Sequence, residues 1–244
     1  MRVGCIIEAR MNATRLPGKI MLDIMGRPSI LRQVERIKRS RYIDQIIVAT
    51  TTNQADDVLV ETLNQNDILC FRGSEDDVLG RVAKCALEFQ LDAVVEITGD
   101  CPLTDMQECD KVIERFLEGG YDLVSSNLLC TYPLGMAAIV FSNKVLQESA
   151  LNAADPIHRE HVCLYLYEHP YDYIFSNIEA PPFLRGPSLR MTLDDEADYK
   201  FICQVYEMLY PQNPAFTLYD IMKLLHQKPE LCLYSNTGQI KKVR

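Results

Sequence analysis

Apolar residues change their period several times along the first hundred positions. Short apolar runs at 3–7, 45–50, 68–71 and 92–97 read as buried β-strands. Between them, residues 29–39, 55–66 and 78–89 carry apolar positions at helical spacing. In the first of these, Ile30, Leu31, Val34 and Ile37 recur, with Arg32, Glu35, Arg36 and Lys38 around them. Strands alternating with helices across short turns predict an α/β fold, a largely parallel sheet covered by helices on both faces. Ligands of such sheets bind beyond the carboxyl ends of the strands. The turns after Ile7 and Ile97 lie at such ends.

The second half is less regular. Strands are predicted at 121–125, 137–141, 173–177 and 188–193, and helices at 156–167, 196–209 and 218–226. Residues 179–187, with Pro181, Pro182, Gly186 and Pro187, read as a loop. No repeat or low-complexity linker interrupts the chain, so one domain over residues 1–244 is expected.

A net charge of −9 argues against a general nucleic-acid binder, which must neutralise phosphates. No apolar run approaches the roughly 20 residues of a membrane span, and Glu8 and Arg10 interrupt the first apolar run, so a signal-peptide pattern is missing. Nine cysteines without a C-x-x-C pair fit a reduced, cytoplasmic chain.

The acidic balance makes one loop conspicuous. In EARMNATRLPGK, residues 8–19, three cations (Arg10, Arg15, Lys19) are interleaved with Asn12, Ala13, Thr14, Pro17 and Gly18. Turn N–H groups, forked arginine donors and a mobile lysine charge together suit a polyphosphate. The loop matches neither G-x-x-x-x-G-K-[ST] nor G-x-G-x-x-G. A solvated turn with three surface cations is the plain alternative.

ARMNATRLPGK followed by DIMGRPSI resembles the opening of sugar-activating nucleotidyltransferases, in particular the SpsF-like cytidylyltransferases of spore-coat polysaccharide synthesis. Ketodeoxyoctulosonate and acylneuraminate cytidylyltransferases are more distant relatives. IIVATT at 46–51, FRGSEDDVLGR at 71–81, ITGDCPL at 97–103, REHV at 159–162 and LRMTLDDEADY at 189–199 extend the resemblance in order along the chain. It implies a GT-A-like fold with a mostly parallel mixed sheet, CTP as donor, magnesium, and a homodimer. It places Arg10, Arg15 and Lys19 on the triphosphate, with Ala9, Asn12 and Thr14 lining it. Arg72 and Thr98 become candidates on the base side.

Two carboxylates complete the picture. Asp100 follows a strand end and suits a hard cation, which prefers oxygen ligands; a helix-capping or turn role is equally open on sequence alone. Asp194 has the same two readings, the cap being for a helix starting near Glu196. The resemblance makes Asp100 and Asp194 the magnesium ligands. Asp195 is open as a bystander or a cap, and Glu196 and Asp198 read as first-turn acids favoured by the helix dipole. Asp77 suits either the nucleotide or the cap of the helix at 78.

On the acceptor side the chain departs from the pattern. The acids expected after YP fall at Leu134, Ala137 and Ile139, and the arginine expected before ITGD is Glu96. Arg159 and His161 are left either to hold an acidic acceptor or to pack their helix. The apolar replacements predict an acceptor with few hydroxyls on that face, such as a deoxy or N-acylated sugar acid or a small phosphonate; a dimer interface is the competing use of that segment. A GT-A glycosyltransferase is a second reading of the chain, although no D-x-D motif occurs. A non-catalytic nucleotide-binding module is a third.

Overall fold

The computed structural model describes residues 1–232; residues 233–244, the end of the expected domain, lie outside the described residues. Seven strands are formed: β1 (Val3–Glu8), β2 (Gln45–Thr51), β3 (Leu69–Gly73), β4 (Ala93–Thr98), β5 (Leu123–Ser125), β6 (Ile139–Ser142) and β7 (Phe175–Asn177). They build one sheet in the order β3-β2-β1-β4-β6-β5-β7. Within it β6 runs antiparallel to β4 and β5, and the other pairings are parallel.

Alternation along the strands sends side chains to two cores. Cys5 and Ile7 of β1 and Val95 and Ile97 of β4 pack under α1 (Ser29–Ile37) and α4 (Met106–Leu117). Ile6 and Val94 point the other way, toward α3 (Val78–Glu88) and α5 (Asn143–Asn152). Gly4 is required there, because a Cβ would lie 2.3 Å from the Leu91 side chain. A third apolar body forms where α8 (Glu196–Leu209) and α9 (Leu218–Gln227) pack with Ile24, Leu103, Tyr132, Met191 and Leu193. Full burial of one such side chain contributes about 1.5–3 kcal/mol. α2 (Asp57–Asn64) covers the edge beside β3.

The third body changes the expected role of α1. Its apolar stripe is buried as predicted, yet Arg32 and Arg36 are buried too. Arg32 donates to the carbonyls of Ile24 and Met25 and stacks on Tyr210. Arg36 donates to the carbonyls of Thr104 and Phe216. α8, α9 and the segment between them therefore pack on the charged side of α1.

Three further corrections concern elements. Residues 188–193 do not form a strand: the segment crosses the strand ends and makes one isolated bridge, Leu134 to Arg190. The helix expected over 156–167 is two short helices, α6 (Pro156–Glu160) and α7 (Leu164–Glu168). His161 is extended at the break, and Val162 and Cys163 turn into the core. Helices α4 and α5 occupy stretches where periodicity assigned no element; Asp105 and Ser142 cap them.

Candidate active site

The carboxyl ends of β1 and β4 are held together before any functional side chain is placed. Gly99 N–H donates to Glu8 O at 2.8 Å. The approach is so close that a Cβ on Gly99 would lie 2.9 Å from that oxygen. The loop leaving β1 is then pinned by Asp56, which accepts from Met11 N–H at 2.7 Å and from Thr50 and Thr51. Burial alone would raise the Asp56 carboxyl, but the bonds from Thr51, Met11 and Thr50 outweigh it and hold it below the usual range. Sequence reasoning missed this anchor; its signal is a pair of threonines ending a strand five residues before an acid.

The loop reverses on itself. Ala13 and Gly18 both donate backbone N–H to Met11 O. Gly18 adopts φ 72°, a left-handed conformation that glycine reaches without Cβ strain. The following 3-10 turn, Lys19–Met21, carries Lys19 back over the strand ends.

Lys19 Nζ lies 2.8 Å from Asp100 Oδ2 and 2.9 Å from Asp194 Oδ1. Arg15 Nη2 reaches the same Asp194 oxygen at 2.9 Å. Thr98 donates to Asp100 at 2.6 Å, and Thr192 to Asp194 at 3.1 Å. Burial would lower the Lys19 ammonium, but Asp100 and Asp194 raise it above its ordinary value. Burial would raise Asp194, yet Lys19, Arg15 and Thr192 bring it below the carboxylate range. Both groups are thus charged at neutral pH. Cys101 is buried beside the cluster, with its thiol toward Asp100 and Thr98.

The capping readings of the two acids are now excluded. Asp105, not Asp100, caps α4, and Asp195, not Asp194, caps α8 in a reciprocal box with Asp198. Asp198 accepts from Arg190 and from the backbone N–H of Asp194 and Asp195. That buried network fixes the direction of Asp194. Leu193 N–H donates to Asp100 O at 2.7 Å, so the two acid-bearing segments share a backbone bond.

The other expected residues divide. Arg10 faces Glu75 at 3.5 Å, near the loop after β3. Arg72 stands apart from the ion cluster: it donates to Thr51 O, Asn53 O and Asp57. Asp77 caps α3 by accepting from Gly80 N–H. Arg159 faces Asp77 at 3.6 Å on the opposite side of the sheet from α1, and His161 ends α6.

No three His, Cys, Asp or Glu side chains converge as a metal site among the described residues. The pair Asp100 and Asp194 does converge, since each contacts one ammonium nitrogen. Magnesium is commonly held by one or two carboxylates together with substrate phosphates, so this donor set fits it. Among the described residues no helix is long and apolar enough to cross a membrane.

Comparison with known proteins supports the fold and the family. The chain is similar to an uncharacterized protein, MJ1063, of Methanocaldococcus jannaschii, at 36% identity over 84% of this chain and 83% of the relative. It is similar to the spore coat polysaccharide biosynthesis protein SpsF of Bacillus subtilis, at 30% identity over 92% and 94%. The structure of a cytidylyltransferase from Leptospira borgpetersenii superposes with a TM-score of 0.90 at 27% identity, over 99% of this chain and all of the other. Residues 4–221 match the cytidylyltransferase family model, and the chain belongs to that family.

Proposed function

We propose that the protein transfers CMP from CTP to a sugar acid or related anionic acceptor, with release of pyrophosphate and dependence on magnesium. The observation that carries this reading is the ion cluster of Lys19, Arg15, Asp100 and Asp194 at the mouth of the β1 loop. Membership of the cytidylyltransferase family and the likeness to SpsF support the donor and the glycoconjugate setting.

An acceptor oxygen attacks the α-phosphorus, the bond to the β-phosphate oxygen breaks, and pyrophosphate leaves while the acceptor proton passes to water. Such chemistry needs positioning and charge neutralisation more than a strong base. Arg15, half exposed at the rim, and Lys19, on its flexible stem, neutralise the phosphates and then the departing pyrophosphate. Asp100 and Asp194 would hold magnesium, which would supply Lewis-acid charge to the reaction. Thr98 and Thr192 orient the two carboxylates. Arg159 and His161 remain the proposed contacts for the acceptor's anionic end.

The test is pyrophosphate release with each of the four nucleoside triphosphates against a panel of sugar acids, phosphosugars and phosphonates. CTP-dependent, magnesium-dependent release with one acceptor class is expected. Turnover with a purine triphosphate alone, or with no acceptor at any magnesium concentration, would sink the reading.

A further inference from the structure

On the face of the sheet away from α1, two carboxyls lie where the strand ends meet the ion cluster. Glu8 ends β1, and Glu96 lies on the adjacent β4. In the register Ile6 is beside Glu96 and Glu8 is beside Thr98, so the two glutamates are diagonal neighbours on one face. Burial raises both carboxyls, and the neighbouring Glu96 raises Glu8 further. Both residues are nevertheless partly exposed.

We propose that Glu8 and Glu96 form the subsite that receives the hydroxyl-bearing part of the acceptor. The inference rests on the acceptor reading above. Three observations carry it. The pair adjoins the chemistry: Thr98, two residues beyond Glu96 on the same face, holds Asp100, and the Asp100 charge is felt at Glu8. It has unspent hydrogen-bonding capacity: among the described residues Glu8 Oε1 is buried with no hydrogen-bond partner, and Glu96 Oε2 accepts from the Cys163 thiol at 3.5 Å. A buried acceptor left unmet is costly, and a ligand hydroxyl would meet it. Finally, a cation already faces it. The groups facing the pair are Arg81 from α3, Cys163 and Tyr167 from the α6–α7 region, and Asp100. Arg81 is buried, with Nη1 donating to Ser74 O, and its positive charge acts on Glu8. Neutral hydroxyl donors fit beside it; an ammonium would crowd Arg81.

Ile139, one of the apolar positions on the acceptor side, lies directly across from Glu96 in the antiparallel rung. On this proposal carboxyl acceptors for hydroxyls stand one strand over from it.

Glu96→Leu, Glu96→Gln and Glu8→Gln test this with 3-deoxy-manno-octulosonate as a hydroxyl-rich acid and a hydroxyl-free phosphonate as comparator. With CTP saturating, Glu96→Leu should raise KM for the sugar acid tenfold or more, Glu96→Gln should restore part of the loss, and KM for CTP should stay within twofold. Parallel loss of CTP and acceptor affinity, or preference of the wild type for the phosphonate, overturns the subsite. Calorimetric titration of the sugar acid into CTP-saturated, magnesium-free protein reads the subsite without turnover. Heat lost in Glu96→Leu or Glu8→Gln but present in the wild type supports it. Equal affinity in all three, or none in any, refutes it. Binding without turnover would instead count against the transfer reaction.

Discussion

Asp194 carries a role that can be separated into two opposite effects. Its Oδ1 contacts both Lys19 and Arg15 at 2.9 Å, and the carboxyl is held below the usual range. On the proposed function, Asp194 without metal would compete with the triphosphate for Lys19 and Arg15. Asp194→Asn removes the charge and keeps the shape. Lys19 retains Asp100, and Arg15 is 49% exposed, so solvent screens its share. The relief is therefore near the low end for a charge-assisted hydrogen bond, about 1.4 kcal/mol, or tenfold in affinity. Calorimetry in EDTA should show CTP binding about tenfold more tightly to Asp194→Asn than to the wild type, while turnover with magnesium falls by a hundredfold or more. Weaker metal-free binding in the variant would mean that Asp194 orients the cations rather than competing with the phosphates, and would remove the argument.

Other outcomes follow from the same geometry. Arg15→Ala should weaken CTP binding roughly tenfold or more, measured by calorimetry, because a charged donor to phosphate is lost. Asp198→Ala removes the buried carboxylate from the Arg190 network but leaves Asp195 in contact with the guanidinium; a loss toward the low end for a broken buried pair, about 3 kcal/mol, is expected by denaturant unfolding. Asp194 and Asp56 have lowered folded values, so their stabilisation is present above the ordinary carboxylate range near pH 4 and is lost as pH falls through the folded values. Lys19 is raised, so its share holds below about pH 10.5 and fades as pH climbs through its folded value. Urea midpoints should drop at both extremes, and Lys19→Met should shrink the alkaline limb without removing it, because burial raises Cys5, Tyr132 and Tyr206 as well.

Strands β1 to β4 and helices α1 to α3 were legible because short apolar runs and 3.6-residue stripes alternate there without interruption. The cationic loop stood out because three cations on one turn are improbable in an acidic chain. Helix α4 was not, since Glu108 and Asp110 are buried among its apolar positions and blur the stripe. The pairing of Asp100 with Asp194 needed the family resemblance, as no local pattern links residues so far apart. The Glu8–Glu96 pair needed strand register: each glutamate alone reads as a polar end of an apolar run.

The backbone bond from Leu193 N–H to Asp100 O has a kinetic consequence. It closes a loop containing β5, β6 and β7, so the two acids come to their final spacing only after that whole stretch is in place. Contacts of such long sequence separation form late, because the entropy of loop closure must be met first. During refolding, helical signal from the first half should return before nucleotide-binding competence. A pulse of thiol reagent in that interval should label Cys101, which is sealed beside Asp100 once the loop has closed.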